Sequence, residues 1–136
     1  MKRTVSLFLL LFISISAKAD VSNIDNAQLK SMIEAGVPVI DVRRTEEWKQ
    51  TGIVKGSHMM TFFDKSGRYD VKSWLSKLDK VAKPNEPFIL ICRTGNRTGI
   101  ISNFLDKELS YTKVYNVERG ITSWISKGNP TVKPTL

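Results

Sequence analysis

The stretch of this chain best suited to chemistry is Cys92-Arg93-Thr94-Gly95-Asn96-Arg97-Thr98, where the one cysteine of the sequence enters a short polar loop with two arginines. The apolar run Phe88-Ile89-Leu90-Ile91 delivers it, and a helix-like pattern begins directly afterwards. A strand, a tight loop and a helix start in that order aim several backbone N–H groups at one point. A thiolate placed there is stabilised by those donors and by the helix dipole, which is the setting of a cysteine nucleophile. The competing reading is a small core hydrophobe, the ordinary fate of a lone cysteine. Packing alone gives no reason for Gly95 and two cations beside the thiol, so position favours the nucleophile.

Several elements must hold this loop in place. Asp25 and Gln28 form a capping box that starts a helix, Ile24 can staple to Leu29, and Gly36 is its natural stop. Val37 to Val42 is apolar on both faces and suits a buried parallel strand, with Pro38 near its beginning. Thr45 to Lys49 is a candidate short helix with early acids, and Ser57 to Phe63 has room for a short strand. Asp70 caps a helix whose Val71, Trp74, Leu75, Leu78 and Val81 follow a helical period. Pro84 and Pro87 end that segment before the Phe88 to Ile91 strand. Beyond the loop, Ile100, Ile101, Phe104, Leu105 and Leu109 again recur at helical spacing. Lys113 to Val117 then reads as a strand, and Gly120 turns the chain into a last short helix carrying Trp124. Strands alternating with helices predict an α/β fold with a central, mainly parallel sheet, and a site at the carboxyl edge of its strands.

Asp41 is the anomaly of its strand, because a buried acid is costly unless it is paired or hydrogen-bonded. It either anchors its own loop or contributes to the rim that carries Cys92; Arg43 and Arg44 follow just beyond Val42. His58, the only histidine, has no second histidine or cysteine nearby, so no metal site is visible. A base role for it needs geometry that spacing does not provide. No cofactor motif is visible either.

At 136 residues the chain has room for one domain. An apolar fraction of 41% and a charged fraction of 25% are ordinary for a globular protein and suggest neither a disordered chain nor a coiled coil. Lys2 and Arg3, the apolar run Val5 to Ile15, and Ala17-Lys18-Ala19 have the three-part layout of a secretory signal peptide. The stretch is shorter than the roughly 20 residues of a spanning helix. We therefore expect residues 1–19 to be a cleaved signal peptide, residues 20–136 to be the single domain, and the mature protein to be periplasmic without a stable membrane anchor. Loss of Lys2, Arg3 and Lys18 lowers the 21 basic residues to 18 against 13 acidic ones, or +5. The remaining lysines are scattered instead of forming a basic stripe, which disfavours nucleic acid as a partner. A small anion or a thiol is the expected ligand, and the protein is expected to be a monomer. In an oxidising compartment an unpaired cysteine points to a reactive thiol or an intermolecular bond.

With these residues in view, the chain resembles the rhodanese family, in particular its exported single-domain form, over roughly Val21 to Pro130. Val39-Ile40-Asp41-Val42-Arg43 resembles the family's early strand motif, and Gly52-Ile53 through Gly56-Ser57 the loop after it. Cys92 to Arg97 resembles the active-site loop, and Arg119 to Trp124 the closing glycine-to-tryptophan segment. The resemblance implies a rhodanese-like three-layer domain and sulfur transfer through a persulfide on Cys92, from a donor such as thiosulfate to a thiophilic acceptor such as cyanide or a thiol. Arg93, Thr94, Gly95, Asn96, Arg97 and Thr98 would then line the sulfur pocket, with main-chain N–H groups around the bound sulfur and Asp41 and Arg43 supporting the site. Arg97 either faces the ligand or braces the loop against a carboxylate such as Asp41 or Glu46.

Other classes stay open beside it. The same fold supports phosphatases and arsenate reductases whose loops place five residues between Cys and Arg, whereas this loop has four, Arg93 to Asn96. A binding or redox module without sulfur turnover is a further alternative. Glu46 and Glu47, and Thr94 where two-domain thiosulfate enzymes tend to carry a lysine, weaken the case for thiosulfate as the physiological donor. The connection from Gly52 to Gly56 lacks the histidine and proline common there, and no role is carried onto the displaced His58.

Overall fold

The computed structural model describes residues 21–136; the expected signal peptide, residues 1–19, lies outside them. The chain runs β1 (Ser22–Ile24), α1 (Asn26–Glu34), β2 (Val39–Asp41), α2 (Thr45–Thr51), β3 (His58–Met59), α3 (Val71–Leu78), β4 (Phe88–Ile91), α4 (Asn96–Leu109), β5 (Val114–Val117) and α5 (Gly120–Ser126). All strand pairs are parallel, in the order β1-β5-β4-β2-β3. The expected α/β sheet is therefore present, and each crossover that contains a helix returns the chain to the same end of it.

Side-chain alternation explains why the central strands are apolar throughout. Ile40, Phe88 and Leu90 face one core with Trp74 and Leu78 of α3 and Ile101 and Leu105 of α4. Val39, Ile89 and Ile91 face the other, with Leu29 of α1 and Ile121 and Trp124 of α5. A strand covered on both faces has no solvent side to mark with polar residues. The result is three layers, helix on sheet on helix.

Local chemistry sets the starts of α1 and α3. Asp25 caps α1 with the reciprocal Gln28 contact in place, and Asp70 caps α3 by accepting the N–H of Ser73 at 3.0 Å. The element absent from the sequence reading is β1. Its three residues are too few to show a period, and pairing of Ser22, Asn23 and Ile24 with Tyr115, Asn116 and Val117 makes them a strand.

Strand order locates the site. From β2 the chain moves outward to β3, and from β4 it moves the opposite way to β5. The crevice between the carboxyl ends of β2 and β4 is the switch point where open parallel sheets place ligands. Asp41 pairs with Ile91 at that end, so Arg43 and Cys92 both emerge beside the crevice.

Candidate active site

Cys92 follows β4 directly and is 1% exposed, inside the core that packs against α4. The N–H of Gly95 donates to its Sγ at 3.1 Å, and the Thr98 hydroxyl lies 3.4 Å from the same sulfur. That hydroxyl also donates to the Gly95 carbonyl at 3.2 Å, which ties the two ends of the curl together. The first helical bond of α4 runs from the N–H of Gly99 to the carbonyl of Gly95. The N–H groups of Asn96, Arg97 and Thr98 therefore have no intrahelical acceptor and remain free at the end of α4 nearest the thiol. Of the ring of main-chain donors expected from Arg93 to Thr98, the N–H of Gly95 is the one bonded to the sulfur.

The curl is held from behind by the turn between β5 and α5. The carbonyl of Cys92 accepts the N–H of Ile121 at 2.9 Å, and that of Arg93 accepts the N–H of Thr122 at 3.1 Å. The first turn of α5 thus obtains acceptors for two of its orphan donors, and two loop carbonyls are turned away from the sulfur. Two glycines permit this approach. Gly95 has φ +94, and a Cβ there would overlap the Glu118 carbonyl; Gly120 has φ +59, and a Cβ there would overlap the Arg93 carbonyl. The Arg119 to Trp124 segment singled out in the sequence is thus the wall against which the loop is moulded.

Asp41 and Arg43 are 0% and 1% exposed and form a buried fork. Arg43 Nε donates to both carboxylate oxygens at 3.0 and 3.2 Å, and its Nη2 donates to Oδ2 at 2.8 Å. The remaining donors reach Thr51 Oγ1 and the Gly52 carbonyl, at 2.8 and 2.9 Å. The pair therefore clamps the end of β2 to the end of α2, which is the loop-anchoring alternative for Asp41, and it supports one wall of the crevice without lining it.

Arg97 makes a bidentate pair with Glu47 of α2, at 2.9 and 2.7 Å. Its brace is thus Glu47, and the expected partners Asp41 and Glu46 are engaged elsewhere, Asp41 with Arg43 and Glu46 with Arg44 at 2.9 Å. Glu47 also accepts the N–H of Arg44, which closes the start of α2. The Arg97 guanidinium, with help from that N–H, holds the Glu47 carboxyl down at about 2; the same contact raises Arg97 above its usual value. The sequence contained Glu47 but no signal of a partner fifty residues away.

A cavity of about 540 Å³ opens over the loop, lined by Arg44, Glu46, Glu47, Gln50, Arg93, Thr94, Asn96 and Arg97. Arg93, Thr94 and Asn96 are exposed around it, whereas Gly95 and Thr98 are buried beneath. His58 stands exposed on β3, beyond β2 from the loop, and does not line this cavity.

A parallel α/β sheet with a buried thiol at its switch point, cupped by a helix N-terminus, defines a class of cysteine-loop proteins. The model of the rhodanese-like domain matches residues 25–127, and the chain belongs to that family. Thiosulfate sulfurtransferase 18 of Arabidopsis thaliana is 27% identical over 124 residues, 87% of this chain and 89% of that protein. Protein HIGH ARSENIC CONTENT 1, mitochondrial, from the same plant is 28% identical over 85% of this chain and 68% of its own length. Among solved structures, a rhodanese-related protein from Thermoplasma volcanium superposes with a TM-score of 0.61 at 28% identity, covering 83% of this chain and 99% of that one. The polysulfide-sulfur transferase homodimer of Wolinella succinogenes gives 0.64 at 24% identity, over 87% and 82%, a likeness of fold.

Proposed function

We propose that the protein is a sulfurtransferase that carries sulfane sulfur as a persulfide on Cys92. The observation that carries this reading is the Sγ of Cys92 within reach of the Gly95 N–H and the Thr98 hydroxyl, at 3.1 and 3.4 Å, under a curl of four residues between Cys and Arg. The name of the Arabidopsis relative, a thiosulfate sulfurtransferase, supports the same class.

In the loading step the Cys92 thiolate attacks the outer sulfur of a donor. A Cys92–S–S bond forms, the donor's own sulfur–sulfur bond breaks, and the leaving group departs with that electron pair. With thiosulfate the leaving group is sulfite and the enzyme is left with a persulfide anion. In unloading, a nucleophile such as cyanide or a thiolate attacks the terminal sulfur, takes it as thiocyanate or a persulfide, and returns the Cys92 thiolate. Sulfur moves without net oxidation of the protein. The terminal sulfur carries negative charge between the steps, and the free N–H groups of Asn96, Arg97 and Thr98 are suited to stabilise it. Arg93, Thr94 and Asn96 would form the rim that a donor meets, while Arg97 braces the curl through Glu47.

The signal-peptide layout of residues 1–19 supports placing this activity in the periplasm, with the domain free of the membrane. Steady-state thiocyanate formation from thiosulfate and cyanide tests the reaction class. Activity is expected in the wild type and absent in Cys92→Ser; equal rates in the two would reject the assignment.

A further inference from the structure

The cavity over the loop contains three arginines and two glutamates, and the pairing of these charges limits what it can hold. Arg97 is taken by Glu47 in a bidentate pair at 2.7 and 2.9 Å, with only 22% and 14% of the two side chains exposed. Arg44 is taken by Glu46 at 2.9 Å. Among the described residues Arg93 forms no ion pair or side-chain hydrogen bond, so one cation over the loop is uncompensated. A doubly charged donor needs its second charge met by another free cation, or it meets the glutamates instead.

We infer that Glu47 is a specificity-determining residue: by capturing Arg97 it turns the pocket away from dianionic donors and toward organic persulfides of at most one negative charge. This rests on the sulfurtransferase reading and names the donor class for it. Cys92 attacks the outer sulfur of R–S–SH, the donor's sulfur–sulfur bond breaks, and the thiolate R–S– leaves with the electron pair; the proton stays with the Cys92 persulfide or passes to the leaving thiolate. Arg93 meets the one charge that develops on the leaving group. Glu47 acts through Arg97 and does not touch the reacting sulfur.

The test compares single-turnover loading of Cys92 by thiosulfate and by 2-hydroxyethyl persulfide, read by intact mass, in wild type and Glu47→Gln. Glutamine keeps the shape of the brace but leaves the Arg97 charge uncompensated. The thiosulfate-to-persulfide rate ratio should rise roughly tenfold, a modest share of what two charges a few ångströms apart exchange near a protein surface. The rise should vanish in Glu47→Gln/Arg97→Gln. An unchanged or lower ratio in Glu47→Gln of native circular dichroism overturns the inference. Should that variant not fold, exposed Thr94→Lys supplies the missing cation without disturbing the pair, and the ratio must rise there or the inference falls. Loading of wild-type Cys92 by the persulfide with no shift of ratio in the variants rejects this inference alone. Loading by neither donor rejects the sulfurtransferase reading and this one with it.

Discussion

The N–H of Ile121 donates to the carbonyl of Cys92 at 2.9 Å, so the residue that carries the thiol also terminates the buried N-terminal end of the last helix. Thiol and helix are built as one unit. The carbonyls of Cys92 and Arg93 are committed to α5, and that of Gly95 to α4, which leaves the N–H side of the curl for the sulfur.

Glycine at the contact between these parts is therefore required. Gly120→Ala forces a Cβ into the Arg93 carbonyl at a backbone angle that L residues rarely adopt, and Gly95→Ala does the same against Glu118. Each should cost about 2 kcal/mol or more of stability and reduce sulfur transfer far more than the change in melting temperature alone explains. Thermal unfolding and thiocyanate assays on the same samples separate the two effects.

Thr98 offers a milder probe. Thr98→Val keeps the volume of a buried side chain and removes the hydroxyl that lies near Sγ and donates to Gly95. Loss of one such contact should slow loading of Cys92 by about tenfold while stability changes by about 1 kcal/mol. Thr98→Ser should restore most of the rate in the same single-turnover measurement.

Asp41 and Arg43 contribute at a distance from the sulfur. Asp41→Asn leaves the Arg43 guanidinium buried without its counter-charge, a change that costs roughly 3–5 kcal/mol in comparable pairs. The urea midpoint should fall accordingly. Where the variant still folds, its rate per folded molecule should fall less than that of Thr98→Val, because the fork clamps β2 to α2 and does not reach Cys92.

The Glu47–Arg97 pair predicts an acid-side loss of stability. The folded carboxyl titrates at about 2 against an ordinary value of 4.5, so the folded state binds fewer protons in that interval. Its contribution is complete above pH 4.5 and disappears as the pH falls from there toward 2. After discounting for solvent screening the effect is roughly 1–2 kcal/mol. Urea unfolding at about pH 6 and about pH 3 should show a smaller difference in Glu47→Gln than in the wild type.

The features legible in the sequence are those coded over a few neighbouring residues. The Phe88 to Ile91 strand, the Asp25 and Asp70 caps and the Gly95 turn each follow from local chemistry, and their order is enough to place Cys92 at the carboxyl edge of the sheet. The features that were not legible depend on partners distant in sequence. Ser22–Ile24 is a strand because β5 lies beside it. Glu47 became the brace of Arg97 because α2 and α4 start on either side of one crevice. The glycine at 120 was visible, but its contact with the Arg93 carbonyl exists only once β5 has been paired with β4.

The central claim is that Cys92 holds a transferable sulfur, and intact-mass measurement after exposure to a sulfane-sulfur donor tests it most directly. The wild type should gain the mass of one sulfur atom, localise it to the Cys92 peptide, and lose it on addition of cyanide with matching release of thiocyanate. An unmodified wild type, or the same mass gain in Cys92→Ser, would contradict the account.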